Sequence, residues 1–348
     1  MFLQAFRILL PILFVATLPP AGPPPYPPSP LIVDIAWAPK SSIQRMADGS
    51  DNFPITWADD GALYTAYGDG NGFEPKIADR LSLGFARIDG PPTSFSAENI
   101  RSNGEQTGHG SDGKKASGML MVDSVLYMWV RNADNNGNKC QLAWSDDYAE
   151  TWTFGDWKFD EFGYCTFINY GQNYAGARDE YVYTVTHDSP SAYDVADRFI
   201  LMRAPKNQMQ DKAAYEFFVS VDANNNPSWS SNVADRGGVF EHANLARRSG
   251  ISYIPGLHRY LWWQQLNYNG EDTRYEGGFG IFDAPEPWGP WTTVYFTQKW
   301  DVGPGETGSF PPKWASEDGK TLYLVFSGDD AFSVRKATLT LANQGPAD

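Results

Sequence analysis

The chain has 348 residues and a formal net charge of −15 at pH 7. A chain this acidic lacks the broad basic surface that nucleic-acid binding requires, and it disfavours a polyanionic partner unless a local basic pocket overrides the global sign. With 33 glycines, 25 prolines and almost no helix-period apolar runs after the N-terminus, it is predicted to be all-β, with length for one large domain.

The N-terminus has the pattern of a secretory signal. Arg7 precedes the apolar stretch 8–18, which is too short to span a bilayer, and small residues follow around Ala21. We therefore predict a signal peptide over 1–21 and a secreted or periplasmic protein with no stable membrane insertion after cleavage. An uncleaved anchor is the alternative. Residues 22–34 are predicted to be a proline-rich linker.

One phrase then recurs five times: a polar cluster, a strand, a tight turn, a tyrosine-bearing strand and a second polar cluster. The marker tyrosines are separated by 63, 56, 77 and 63 residues; they are Tyr64, Tyr127, Tyr183, Tyr260 and Tyr323. Strand repeats of this period predict a single five-bladed β-propeller domain over 35–348, with one blade per copy.

Polar residues collect at one end of every copy, whereas the other end carries ordinary turns. In a propeller, the start of the first strand and the end of the second lie on the same face, so these residues are expected to share a site. Eight of them are predicted to bind substrate hydroxyls: Asn52, His109, Lys115, Arg131, Asp188, Arg248, Gln264 and Glu306. Arg247 belongs to the same polar group. The basic members have an alternative role as salt-bridge partners between blades.

Two aspartates in the first copy are the candidate catalytic pair. Asp51 and Asp69 are each nine residues from the turn centre near Asp60, so the predicted register places them directly opposite each other. Close carboxyls push their titrations apart, and glycosidic cleavage needs one protonated acid and one ionised base. The structural alternative is a turn cap at Asp51 and a plain loop residue at Asp69.

A metal site is a weaker interpretation of the same residues. Asp51, Asp69 and Asp329 are candidate ligands for a structural Ca²⁺, but the spacing of a known calcium loop is absent. We therefore predict no metal ligands and no cofactor.

The string DNFPITWADDGALYTAYGDGNGF, from Asp51 to Phe73, resembles the opening signature of a bacterial family of unknown function. Further similar strings, such as KKASGMLMVDSVLYMWVRN and GETGSFPPKW, run along most of the mature chain. Some members of that family are endo-D-arabinanases, five-bladed propeller hydrolases that invert the anomeric centre. The resemblance implies a secreted polysaccharide hydrolase whose acid/base pair is Asp51 and Asp69, with furanosyl units as the substrate.

Polysaccharide lyase chemistry is the first alternative, because the segment around His109 also shows a weaker similarity to ulvan-lyase-type propellers. A lyase needs a base and an acid, such as His109 with Tyr174 or Tyr193. It also needs a cation to neutralise a uronate, with three candidates: Lys115, Arg178 and Arg198.

Two further alternatives stay open. A sialidase would use three arginines, with Arg131, Arg198 and Arg248 as nominees, but no spacing supports that choice. A non-catalytic sugar-binding propeller would use aromatic and polar residues without needing the aspartate pair.

Two local features, the two cysteines and one turn-like segment, are expected to be structural. Cys140 and Cys165 are the only cysteines, and in an exported chain they could either pair or stay free. The segment from Ser145 to Trp152 resembles the Asp-box turn of other propellers, with Ala149 in place of the usual glycine. Neither feature is expected to take part in chemistry.

Overall fold

The computed structural model describes residues 22–267 and 270–342. The predicted signal peptide, 1–21, lies outside the described residues and stays a prediction. Within these ranges every helix is a three-residue 3₁₀ turn, and no helix is long and apolar enough to cross a membrane. The predicted all-β class is confirmed.

The strands form antiparallel units in chain order. Two strands, β1 (Ile32–Trp37) and β2 (Gln44–Met46), precede the first unit. Unit 1 consists of β3 (Asp51–Trp57), β4 (Leu63–Gly68), β5 (Gly84–Asp89) and β6 (Ser96–Ile100). Unit 2 consists of β7 (Lys115–Val122), β8 (Val125–Arg131), β9 (Gln141–Ser145) and β10 (Thr153–Phe154).

Unit 3 is the longest. It consists of β11 (Cys165–Asn169), β12 (Tyr181–His187), β13 (Ala196–Pro205), β14 (Glu216–Val221) and β15 (Pro227–Ser230), and β16 (Phe240–Ala246) pairs with β13. Unit 4 consists of β17 (Ser249–Ile254), β18 (Arg259–Leu266), β19 (Gly278–Ala284) and β20 (Thr292–Thr297). Unit 5 contains β21 (Gly308–Ser309), β22 (Thr321–Phe326) and β23 (Phe332–Leu341).

The 3₁₀ turns lie between strands and at strand ends. They span Lys40–Ser42, Gly110–Asp112, Gln172–Tyr174, Lys206–Gln208, Lys212–Ala214, Val233–Asp235, Pro255–Leu257, Pro312–Trp314 and Gly328–Asp330.

Each marker tyrosine lies in the second strand of its unit, as the repeat predicted: they occupy β4, β8, β12, β18 and β22. The first strands contact one another in a closed cycle. β3 contacts β7, β7 contacts β11, β11 pairs in parallel with β17, β17 contacts β21, and β21 contacts β3. All five first strands line a narrow central cavity of about 20 Å³, with room for about one water molecule.

The N-terminal segment completes unit 5. Strands β1 and β2 both pair antiparallel with β23, so the last unit is built from both ends of the chain. Residues 22–34 were predicted to be a linker, but part of this segment packs against the rest of the protein. Tyr26 lies edge-on to Phe240, with ring centroids 4.8 Å apart, and its hydroxyl accepts a hydrogen bond from the backbone N–H of Glu241 (2.8 Å). The apolar side chains of Tyr26 and Ile32 account for this, because each gains buried contact that the surrounding prolines do not provide.

The Asp-box resemblance has a structural counterpart between β9 and β10. Asp147 accepts hydrogen bonds from the Ser145 hydroxyl and the Thr151 backbone N–H, both 2.8 Å long. Ala149 has φ = 75°, the left-handed conformation for which glycine is the usual choice. The segment therefore forms a structural turn on the outer edge of unit 2.

Candidate active site

The polar residues predicted from the repeat converge at one end of the units. Asp51 opens β3, Lys115 opens β7, and Arg248 directly precedes β17. Antiparallel pairing places the ends of the second strands beside these positions, as in the pair formed by Lys115 and Arg131. We call the group that assembles here the central cluster: Asp51, Asn52, Asp69, Lys115, Arg131, Tyr164, Arg247, Arg248 and Glu306. All five units contribute to it.

The predicted register of the catalytic pair was wrong by one residue. Ile55 lies opposite Thr65, as the turn arithmetic requires, but Asp51 lies opposite Gly68 rather than Asp69. A β-bulge between Asn52 and Ile55 causes the shift, and φ is positive at both Asn52 (72°) and Phe53 (74°). The two carboxyls are therefore not a directly opposed cross-strand pair.

Asp51 lies in a buried environment that favours its neutral form. Its residue is 8% exposed, and the Asn52 side-chain amide donates a hydrogen bond to its Oδ1. Burial, followed by the negative charge of Glu306, raises the pKa of Asp51 from 3.8 to about 7. Asp69 adds to this rise, and Lys115 opposes it. Asp51 therefore holds its proton until the pH approaches neutrality.

Asp69 has a different surrounding. The Lys115 ammonium donates a hydrogen bond to its Oδ1, and the lysine side chain is only 2% exposed. A buried ammonium needs a counter-ion, and Asp69 supplies it. Asp69 Oδ2 accepts no hydrogen bond from the described part of the chain, so one oxygen of this carboxylate stays available.

Glu306 is the third carboxylate of the cluster. It forms ion pairs with Arg248 and, at 3.7 Å, with Arg131. Burial alone would raise the pKa of Glu306, but the charges of Arg248 and Arg131 outweigh burial and lower it to about 2. Between about pH 2 and pH 7 Glu306 is therefore ionised while Asp51 is neutral, and the charge of Glu306 helps to keep Asp51 protonated.

Aromatic residues form part of the same network. The Arg131 guanidinium donates hydrogen bonds to Asn52 Oδ1 (2.9 Å) and to the Tyr193 hydroxyl (3.3 Å). Arg131 and Arg248 lie 5.8 and 5.6 Å from the centroid of the Tyr164 ring. Tyr164 was not among the predicted site residues, although it directly precedes β11 as Arg248 directly precedes β17.

Three predicted substrate-contact residues lie outside this hydrogen-bond network. His109 is exposed, and its side chain makes no hydrogen bond with the described residues. Asp188 is bound by Arg198 and Arg236, each at 2.8 Å. The Gln264 side chain forms a hydrogen bond with the His242 ring through Oε1 and donates one from Nε2 to the Leu245 carbonyl, both 2.9 Å long.

The residues nominated for the alternative chemistries are only partly brought together. Tyr193 lies against Arg131, but the Tyr174 hydroxyl donates to the Tyr181 carbonyl (2.9 Å), at the opposite end of unit 3. Arg178 forms an ion pair with Glu286 (3.0 Å), far from the network described above. Tyr174 and Arg178 therefore lie outside the site, whereas the nominees Lys115, Arg131, Arg248 and Tyr193 lie in or against the central cluster.

The candidate calcium ligands are separated as well. Asp329 forms an ion pair with Arg45. Within residues 22–267 and 270–342, no three His, Cys, Asp or Glu side chains are grouped in a way that could hold a metal ion.

No family model and no curated protein sequence matches the chain. Among solved structures it is similar to the β-xylosidase RS223 (TM-score 0.48, 12% identity, covering 88% of this chain and 96% of that one). It is also similar to a GH43_1 enzyme from Xanthomonas citri (TM-score 0.46, 13% identity, 88% and 95%). A third is the catalytic domain of a GH62 α-L-arabinofuranosidase from Coprinopsis cinerea (TM-score 0.46, 11% identity, 92% and 100%). These neighbours are glycoside hydrolases, but at TM-scores below 0.5 they carry no argument about the reaction of this chain.

Proposed function

We propose that this protein is a glycoside hydrolase that cleaves a polysaccharide, with its five antiparallel units as the blades of a β-propeller. One observation carries the proposal: a buried carboxyl, Asp51, whose pKa of about 7 lies far from the pKa of about 2 of its neighbour Glu306. Carboxyls with separated titrations provide the protonated acid and ionised carboxylates that glycosidic cleavage uses.

Asp51 is assigned the role of general acid. Around neutral pH it still holds a proton, which it can donate to the leaving oxygen of the glycosidic bond. Asp69 is assigned the role of general base, because its Oδ2 accepts no hydrogen bond from the described residues and is available to activate water. Glu306 acts on Asp51 through its charge, since its ion pairs with two arginines make it a poor base.

The stereochemistry and the sugar rest on the family resemblance. Inverting hydrolases keep their two carboxyls roughly 6.5–9.5 Å apart so that water fits between them, and retaining enzymes roughly 5–5.5 Å. By analogy with endo-D-arabinanases, we propose inversion and furanosyl units as the substrate. We also propose that residues 1–21 direct export, which N-terminal sequencing of the mature secreted protein would test.

The decisive experiment is digestion of a polysaccharide panel that includes arabinans, arabinogalactans, ulvan and other uronic-acid polymers. New reducing ends without ultraviolet absorbance from unsaturated uronates are expected for hydrolysis, whereas absorbance would indicate a lyase. Asp51→Asn and Asp69→Asn should each abolish turnover in a folded protein. Asp156→Asn, at an exposed position beyond β10, is the matched control and should retain turnover.

Two results would contradict the proposal. Full activity in both Asp51→Asn and Asp69→Asn would remove the acid/base assignment. Saturable oligosaccharide binding with no product from any polymer would instead favour a sugar-binding propeller without catalysis.

A further inference from the structure

The central cluster contains more positively charged than negatively charged side chains. Lys115 is neutralised by Asp69, while Arg131 and Arg248 share the single carboxylate of Glu306. Arg247 makes no ion pair and no side-chain hydrogen bond with the described residues. In a chain with a net charge of −15, a local surplus of buried positive charge is unexpected and needs an explanation.

Arg247 lies in the two-residue connection between β16 and β17, next to Arg248. It is half-buried, and its Nε is shielded from solvent without a hydrogen-bond partner. Burial, followed by the positive charge of Arg248, lowers the pKa of Arg247 to about 10, and Glu306 and Arg131 are close enough to act on it as well. Arg247 therefore belongs to the cluster and stays charged at neutral pH.

Its neighbours also have unused donors. Nε of Arg131 and Nε of Arg248 are both buried without a hydrogen-bond partner. Leaving a buried donor unpaired is costly, so each such donor calls for an explanation, and a bound anion is one that accounts for several donors at once. The guanidinium group is a planar donor that matches an oxyanion in a bidentate way.

Salt bridging between blades does not explain the surplus. That role fits Arg131 and Arg248, which join units 2 and 4 to unit 5 through Glu306. It does not fit Arg247, which forms no ion pair with any residue that the structure describes. Asp51 does not supply the missing charge, because its buried carboxyl holds its proton up to near-neutral pH.

We infer that Arg247, with Arg131 and Arg248, binds an oxyanion on the substrate, so that the sugar next to the cleaved bond carries a carboxylate or a sulfate ester. This inference rests on the proposed function, since it names the substrate class of the same site. The substrate is then a polysaccharide that carries an acidic group beside the furanosyl linkage proposed above, and the surplus positive charge serves substrate binding instead of the fold.

The test is isothermal titration of the purified mature chain at constant ionic strength with three probes: sodium sulfate, sodium galacturonate and neutral methyl galactoside. Saturable binding is expected for at least one of the two anions, at least about tenfold tighter than for the neutral sugar. Tighter binding of galacturonate identifies a carboxylate, and tighter binding of sulfate identifies a sulfate ester. Binding of methyl galactoside as tight as that of the anions would overturn the inference, and so would the absence of saturable anion binding.

Variants locate the binding. Arg247→Gln should weaken anion binding about tenfold, since it removes one charge-assisted contact. Arg101→Gln is the matched control, because Arg101 is exposed and its ion pair in the described part of the chain is with Glu105, on unit 1. Unchanged anion affinity in Arg247→Gln would overturn the assignment. If that variant does not fold, the comparison of charged and neutral probes on the unmodified protein still decides the question.

These titrations need no turnover. Anion binding without hydrolysis of any polymer would refute the proposed reaction and leave the oxyanion site standing. Hydrolysis of neutral polymers without anion binding would do the reverse.

Discussion

Replacing Glu306 by glutamine should move the alkaline limb of the pH–activity profile to lower pH. The rise in the pKa of Asp51 from 3.8 to about 7 corresponds to about 4 kcal/mol in favour of the neutral acid. Burial is the largest cause and the charge of Glu306 is the second. At an effective dielectric constant of about 20, a unit charge at a separation on the order of 5–10 Å is worth roughly 2–3 kcal/mol, or about one to two pH units.

Glu306→Gln removes that negative charge and also frees Arg131 and Arg248, whose positive charges favour ionised Asp51. Both changes lower the pKa of Asp51. The alkaline limb of kcat/KM, where the general acid loses its proton, should therefore fall from near pH 7 by roughly one to two pH units.

The assay is kcat/KM against pH for the wild-type protein, Glu306→Gln and Glu306→Asp. The Asp variant keeps the charge, so its limb should stay near that of the wild-type protein. Asp156→Asn controls for the loss of a carboxylate elsewhere. An alkaline limb that stays in place or rises in folded Glu306→Gln would refute the electrostatic role of Glu306.

The other predictions concern stability and the cysteines. Asp51→Asn should stabilise the protein at neutral pH. The folded state keeps a proton that the unfolded chain loses between pH 3.8 and about 7, so wild-type stability declines across that window and then levels off. Thermal melts should show a gain of up to a few kcal/mol at pH 8 that disappears near pH 4; an equal gain at both pH values would contradict this. Asp69→Asn should do the opposite and cost about 3 kcal/mol, because it leaves the buried Lys115 without a counter-ion. Combining it with Lys115→Met should recover most of that loss in chemical denaturation, and no recovery would argue against the pair. Cys140→Ser should leave kcat unchanged, since both thiols are free and buried outside the cluster. A large loss of turnover in the folded variant would mean that the site is misplaced.

Much of the architecture could be predicted because the repeat is a periodic signal. Tyr64 and its four counterparts mark second strands, and the polar residues at one end of each copy meet in the central cluster. The repeat period and the positions of polar residues can be read directly from the sequence, without knowing which distant segments pair.

The details that failed depend on backbone conformation or distant pairing. The bulge at Asn52 and Phe53 shifts the register by one residue. Neither residue is a glycine, so nothing in the sequence indicated a positive φ there. Tyr164 was overlooked because a tyrosine before a strand usually packs in the core. The pairing of β1 with β23 joins residues some 300 positions apart, and no local pattern reports it.

That pairing also constrains how the molecule is made. Unit 5 needs β1, which precedes the other units in the chain, and β23, which follows them, so the nascent chain cannot close its ring before β23 has been translated. The early strand must wait unpaired while four complete units form. In the finished protein Ile32 lies opposite Leu341, so the two positions could be bridged and the chain reopened in a loop between other units. Such a circular permutant would place all five strands of unit 5 in one continuous stretch and would allow that unit to form without waiting for the rest of the chain.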